Sequence, residues 1–188
     1  LPFNGVVLAG PNGGNTRGEG SSRIVAKKQL LPTYDVFDEA RYFKADTRSG
    51  IARTIGGMDF GVTICEDAWH ADVCETLQES GAQILLVPNG SPYYRGKHET
   101  RLNHMVGRVV ETELPLIYLN MVGGQDDQVF DGGSFALNAH GALAHQMGVF
   151  DEEMRVVELA DTGEADRPGA HRAGFQRHIH GQAREPVI

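Results

Sequence analysis

Cysteine is scarce in this chain: Cys65 and Cys74 are the two thiols in 188 residues. Two cysteines cannot build the disulfide framework of a small secreted fold, so a reducing, cytoplasmic setting is expected. Long hydrophobic runs are missing too. Apolar stretches such as Ile84-Leu85-Leu86-Val87 are far too short to cross a bilayer. No charged leader precedes an apolar segment, so neither a membrane anchor nor a secretory signal is expected. Basic runs are also lacking, and the formal net charge is −8, which argues against a phosphate backbone as partner. What is present is a hydrophobic content of 40%, enough for a real core and, at this length, one domain. The chain opens Leu1-Pro2-Phe3 rather than with Met, which fits a fragment or a processed piece.

The pattern along the chain alternates strands and helices. Gly5–Leu8 reads as a short buried strand, Gly10–Ser22 as a loop and Arg23–Lys28 as a second strand. Leu31–Phe37 reads as extended, because Pro32 lacks a donor and disfavours helix at Leu31. Ile51–Ile55 and Asp59–Ile64 form an expected hairpin around Gly56-Gly57. Asp67 is a candidate N-cap for a helix that puts Val73, Cys74 and Leu77 on one face and stops at Gly81. Gln83–Val87 and Pro115–Met121 read as buried strands. Between them, His98–Thr112 has a helical period with Leu102, Met105, Val106, Val109 and Val110 on one face. Gly133–Leu137, Leu143–Met147 and Met154–Leu159 read as antiparallel strands with turns at Gly141 and Gly148. Residues 161–188 lack periodicity and read as a tail or linker after a domain spanning 1–160. Strands alternating with helices, followed by meandering strands, imply an α/β sandwich.

The most informative segment is Gly61-Val-Thr-Ile-Cys-Glu-Asp-Ala-Trp69. An apolar alternating run ends at Cys65, and acids and a helical pattern follow. A thiol at a strand tip is well placed to act as a nucleophile, and a helix N-terminus favours the thiolate. Cys74, on a helix face, reads as a core residue. Three further clusters accompany the elbow: Lys27-Lys28, Phe37-Asp38-Glu39, and Asn89-Gly-Ser-Pro-Tyr-Tyr-Arg-Gly-Lys97.

Taken together these blocks carry a resemblance. Lys28-Gln-Leu-Leu-Pro-Thr-Tyr-Asp-Val-Phe-Asp-Glu-Ala-Arg-Tyr-Phe43, the Gly61–Trp69 elbow, Val87–Lys97 and Asn120–Ser134 are similar to the nitrilase (carbon–nitrogen hydrolase) superfamily. Within it, they resemble the glutamine amidase domain of glutamine-dependent NAD synthetases. The likeness covers residues 24–159 well and the first 23 poorly. It implies a partial nitrilase-like α-β-β-α sandwich, lacking its N-terminal part, and a Glu-Lys-Cys triad. Carried over by position, Cys65 would be the nucleophile, Lys28 the catalytic lysine and Glu39 a second, supporting glutamate. Tyr34 would line the glutamine pocket, with Ser91 and Lys97 near the substrate's α-carboxylate and amino end. Glu66 is counted with the substrate-binding residues. Its side chain points away from Cys65 at spacing i, i+1, so it is expected to be structural or supporting.

These roles agree with the chemistry. Amide hydrolysis needs a thiolate, a proton for the leaving ammonia and donors for the oxyanion. Lys28 and the Glu66 backbone N–H are the candidate oxyanion donors, and both Lys28 and the helix N-terminus should favour the thiolate. The family's general-base glutamate lies upstream of the matched blocks; Glu19, in a Gly-Ser loop, is not assigned to that role. No cofactor or metal is implied. Implied partners are glutamine or another small amide, an ATP-dependent NAD synthetase domain or subunit, and other copies of the chain in a homo-oligomer. Three rival readings are an amidase for a different small amide, a Cys-His hydrolase using His70, His98 or His104, and a non-catalytic partner-binding remnant. His178 and His180 read as surface residues rather than metal ligands.

Overall fold

The computed structural model describes residues 1–10, 21–48, 50–55, 57–164 and 171–175. Its centre is a six-stranded sheet made of β3 (Gly50–Ile55), β4 (Met58–Val62), β5 (Ile84–Asn89), β6 (Leu116–Asn120), β9 (Phe135–Leu137) and β10 (Leu143–Gln146). The spatial order is β10-β9-β6-β5-β4-β3. β4, β5 and β6 run parallel, with Val62 opposite Leu86 and Val87 opposite Tyr118. The outer pairs β3–β4, β6–β9 and β9–β10 are antiparallel. Parallel neighbours need crossovers, and here these are α2 (Ala71–Glu79) between β4 and β5 and α3 (Lys97–Thr112) between β5 and β6.

Alternation along the strands sends two sets of side chains to opposite faces. Leu85, Val87, Leu116, Tyr118, Phe135 and Leu137 meet Val73, Cys74 and Leu77 of α2 and Met105 and Val109 of α3 in the main core. Gly61 lets α2 approach: a Cβ there would lie 2.9 Å from Ala82 Cβ and 3.3 Å from Leu77 Cβ. Gly81, at φ +97°, ends the helical segment as expected. The other face is covered by two hairpins. β1 (Gly5–Gly10) and β2 (Ser21–Lys27) pack Val6, Val25 and Ala26 against Val62 and Ile64. β11 (Leu159–Glu164) and β12 (His171–Phe175) bring Phe175 onto Ile84 and Ala136.

Several expectations change. Leu159–Glu164 pairs with His171–Phe175, so the tail expected from residue 161 includes a strand pair whose Phe175 joins the core. Val157 and Leu159 touch that core, but Met154–Glu158 form no strand, and Met154 and Val156 face solvent. The strand read at Gly5–Leu8 forms, yet Val7 is exposed. Leu31–Phe37 contains a turn, and the short helix α1 (Glu39–Tyr42) follows it. Val110 lies off the apolar face of α3 and is 62% exposed, while Arg101 takes a place on the buried side. The hairpin of β7 (Val122–Gln125) and β8 (Gln128–Asp131) was not anticipated. The stretch 11–20, with Glu19, and His178-Ile179-His180 lie outside the described residues.

Candidate active site

Beyond Val62 the chain leaves β4 and reaches Cys65 at the carboxyl edge of the parallel strands, where ligand crevices of open α/β sheets form. Cys65 has φ +50°, a left-handed conformation that is uncommon for a residue with a side chain. It opens a five-residue 3-10 turn, Cys65–Trp69, and α2 begins only at Ala71. The expected N-cap at Asp67 is therefore corrected: Asp67 lies inside the turn, and His70 occupies the cap position without a side-chain bond. The buried Asp67 carboxylate instead accepts from the backbone N–H of Gln29 at 3.0 and 3.2 Å and of Leu30 at 2.7 Å. This clamps the residues after Lys28 to the turn that carries the thiol.

Lys28, whose residue type is normally solvated, is 1% exposed. Its Nζ lies 2.5 Å from Glu39 Oε1. The Lys28 backbone is held on both sides, donating to the Asn4 carbonyl at 2.8 Å and accepting from Asp46 N at 3.0 Å. Asn4 Nδ2 also approaches Glu39 Oε2 at 3.5 Å. The structure thus brings Cys65, Lys28 and Glu39 into one electrostatic environment.

The expected pull of Lys28 toward the thiolate is present at Cys65 and is set against burial. Burial pushes the Cys65 thiol above its ordinary value of 9.0. The Lys28 cation and the Glu66 backbone N–H pull it down, while the Glu39 and Glu66 charges push it up. Burial is the largest of these influences, and attack by a thiol requires a base to take its proton.

Glu66 and Tyr34 meet: the Tyr34 hydroxyl is 2.7 Å from both Glu66 oxygens. Burial and the Glu66 carboxylate raise the Tyr34 pKa well above the usual range. His70 Nε2 approaches Glu66 Oε1 at 3.7 Å. Lys97 lies at the first turn of α3, its ammonium 4.5 Å from the Trp69 ring centre and 4.6 Å from that of Tyr94. Trp69 closes the Cys65 turn, so Lys97 is tied to the elbow through an aromatic face. Ser91 is buried just past β5, the strand adjacent to β4. Tyr118 beside it is fully buried; its hydroxyl completes no hydrogen bond of good geometry, and its pKa is raised chiefly by burial.

The three histidines of the rival reading are otherwise engaged. His98 Nε2 lies 2.9 Å from Gln146 Nε2, the His104 ring lies tilted against Trp69 with centroids 4.3 Å apart, and His70 faces Glu66. Sequence reasoning missed Asp67's clamp, Tyr118, and a buried pair in which Arg101 NH1 donates to both Asp131 oxygens at 2.8 and 3.0 Å. Arg101 precedes the expected apolar stripe of α3, and nothing local in the sequence marks it as buried.

A thiol at the carboxyl edge of a mixed sheet, beside a buried lysine–carboxylate pair, has the make-up of a cysteine-dependent hydrolase of amide or nitrile bonds. The family model for carbon-nitrogen hydrolases matches residues 1–167, and the chain belongs to that family. Glutamine-dependent NAD(+) synthetase of Rhodobacter capsulatus is 51% identical over 146 residues, 77% of this chain and 26% of that protein. The same enzyme of Xanthomonas campestris is 41% identical over 143 residues, 76% of this chain and 26% of its relative. The chain thus spans 26% of the length of these curated relatives. Among solved structures, glutamine-dependent NAD+ synthetase from Acinetobacter baumannii, in complex with ADP, superposes with a TM-score of 0.72 at 30% identity, covering 95% of this chain and 34% of that one. A mutant amidase from Nesterenkonia sp. AN1, carrying an acetamide moiety on its active-site cysteine, gives 0.58 at 25% identity over 70% of this chain and 48% of that one. The fold is a partial nitrilase-like α-β-β-α sandwich. No helix among the described residues is long and apolar enough to cross a membrane.

Proposed function

We propose that this chain is the glutamine-hydrolysing part of a glutamine-dependent NAD synthetase. The observation that carries the proposal is the buried Lys28, paired with Glu39, acting on a partly exposed thiol held at positive φ. Cys65 Sγ attacks the side-chain amide carbon of glutamine while a carboxylate base takes the thiol proton and passes it to the departing nitrogen. Ammonia leaves and a thioester forms; water then cleaves the thioester to glutamate and restores the thiol. Lys28 Nζ and the Glu66 N–H would stabilise the developing oxyanion. Glu39 holds the Lys28 side chain in place. The family resemblance implies a glutamate as that base. Tyr34, Glu66, Ser91 and Lys97 form the walls and polar contacts of the glutamine pocket.

The released ammonia would serve an ATP-dependent NAD synthetase domain or subunit. A reducing, cytoplasmic setting and assembly into a homo-oligomer complete the reading; light scattering tests the latter. The 51% identity to an NAD synthetase, against 25% to the Nesterenkonia amidase, favours glutamine over other small amides. The test is ammonia release from L-glutamine by the natural full-length polypeptide and its Cys65→Ala variant. Release that Cys65→Ala abolishes is expected. Release that survives the substitution, or wild-type turnover of simple aliphatic amides but not of glutamine, overturns the proposal.

A further inference from the structure

Lys97 is a cation held by rings. Its ammonium lies 4.5 Å from the Trp69 ring centre and 4.6 Å from that of Tyr94, and among the described residues it forms no ion pair. Trp69 is the last residue of the turn that Cys65 opens. Its ring also meets that of His104, with centroids 4.3 Å apart and planes tilted by 37°. Lys97 and His104 lie about two turns apart on α3 and share one side of it. Trp69 thus lies along α3 and fastens the elbow to that helix. His104 is held below its ordinary 6.5 by burial first, then by the charges of Arg108, Lys97 and His70, so near neutral pH it meets Trp69 as an uncharged ring.

We propose that Trp69 is a positioning residue for glutamine hydrolysis, whose ring face holds the Lys97 ammonium ordered and unpaired beside the Cys65 elbow, ready for the anionic end of the substrate. The inference rests on Lys97 contributing to the glutamine pocket, as proposed above. A free lysine loses much side-chain freedom when an anion fixes it. A carboxylate partner would order the lysine in advance, but it would also compete with the incoming anion. An aromatic face orders the ammonium and leaves its charge available, and the indole of tryptophan is the strongest such face. Tyr94 is 52% exposed, whereas Trp69 is braced by His104, so Trp69 is the ring that fixes the ammonium relative to the thiol. One turn of chain therefore carries the nucleophile at its start and the holder of the substrate's counter-charge at its end.

In the natural full-length polypeptide, KM and kcat for L-glutamine are measured with the competitive inhibition constants of glutaric acid monoamide, which is an anion, and butyramide, which is uncharged. Trp69→Leu is expected to raise the glutamine KM and the monoamide constant by about tenfold, the size of one well-placed cation–π contact. The butyramide constant should move by clearly less, and kcat should fall less than KM rises. Trp69→Phe, which keeps a weaker ring face, should recover much of the loss. In a Lys97→Met background, Trp69→Leu should cost little more, because its effect passes through the ammonium. If Trp69→Leu does not fold, trifluorotryptophan placed at position 69 keeps the shape while withdrawing charge from the ring face, and it should raise the monoamide constant selectively. Equal losses for both inhibitors, additive losses in the Lys97→Met background, or an unchanged monoamide constant would overturn the inference. A wild-type protein that does not hydrolyse glutamine overturns instead the function on which it rests.

Discussion

Lys28 Nζ and Glu39 Oε1 stand 2.5 Å apart, and the lysine is shut off from solvent. Such a pair is expensive to break because the surviving charge stays buried without a partner. Glu39→Gln should therefore destabilise the protein by about 3 kcal/mol, the low end for a broken buried pair given that Glu39 keeps some solvent contact. Urea unfolding followed by circular dichroism checks this; a loss under about 1 kcal/mol, the size of an exposed pair, would show that the ammonium is not held as described.

Cys65 and Cys74 should differ sharply in reactivity. Cys74 is fully buried in the main core, and burial pushes its pKa up to about 12. Cys65 is partly exposed on the elbow. Brief alkylation with iodoacetamide followed by mass mapping should label Cys65 first. Preferential labelling of Cys74 would remove Cys65 from the nucleophile's role.

Much of this site was legible before any coordinates, and the reasons are local. The strand ending at Cys65, the α2 face of Val73, Cys74 and Leu77, and the stop at Gly81 follow from period and turn chemistry alone. The association of Cys65 with Lys28, Glu39, Tyr34 and Glu66 came from the family resemblance, since nothing in the spacing of residues 28 and 65 announces proximity. What escaped depended on tertiary partners. Asp67 has the composition of a cap, and a long-range clamp on Gln29 and Leu30 uses the same carboxylate differently. The pull of Lys28 on the Cys65 thiol can be read from residue types, whereas the burial that opposes it depends on tertiary packing. Arg101 looks like a surface residue until Asp131 arrives from β8, and Phe175 carries no periodic signal that would join it to Ile84.

The Asp67 clamp makes its own prediction. Asp67→Ala would leave two backbone N–H groups, of Gln29 and Leu30, without their acceptor beneath the elbow. Losing bonds to a charged acceptor should cost about 2–3 kcal/mol. Glutamine hydrolysis should fall as well, because Lys28 precedes the released segment. Full stability by urea titration would show that water replaces the carboxylate there.

Gly61 tests the packing beneath the same turn. A methyl at this position would meet Ala82 Cβ at 2.9 Å, Leu85 Cδ2 at 3.1 Å and Leu77 Cβ at 3.3 Å. Ala82 has no rotamer with which to yield, so Gly61→Ala should cost about 1–3 kcal/mol through overpacking. An unchanged thermal midpoint would mean that α2 stands further from β4 than described.

The thiol's resting state can be read from the pH dependence of its alkylation. Only the thiolate reacts, so the rate rises with pH and levels off above the thiol pKa. Burial places that midpoint above the ordinary 9.0 in the unliganded protein. The signs for substitutions follow from the charges that act on the sulfur. Lys28 lowers the pKa, so Lys28→Met should move the midpoint up and slow labelling at pH 8. Glu39 raises it, and Glu39→Gln also frees the lysine charge, so that variant should move the midpoint down and speed labelling. Opposite displacements by the two partners of one ion pair are the signature of electrostatic action on Cys65. A shared direction would mean that the substitutions act by loosening the elbow, and a wild-type midpoint well below 9.0 would mean that Lys28 and the Glu66 N–H outweigh burial after all.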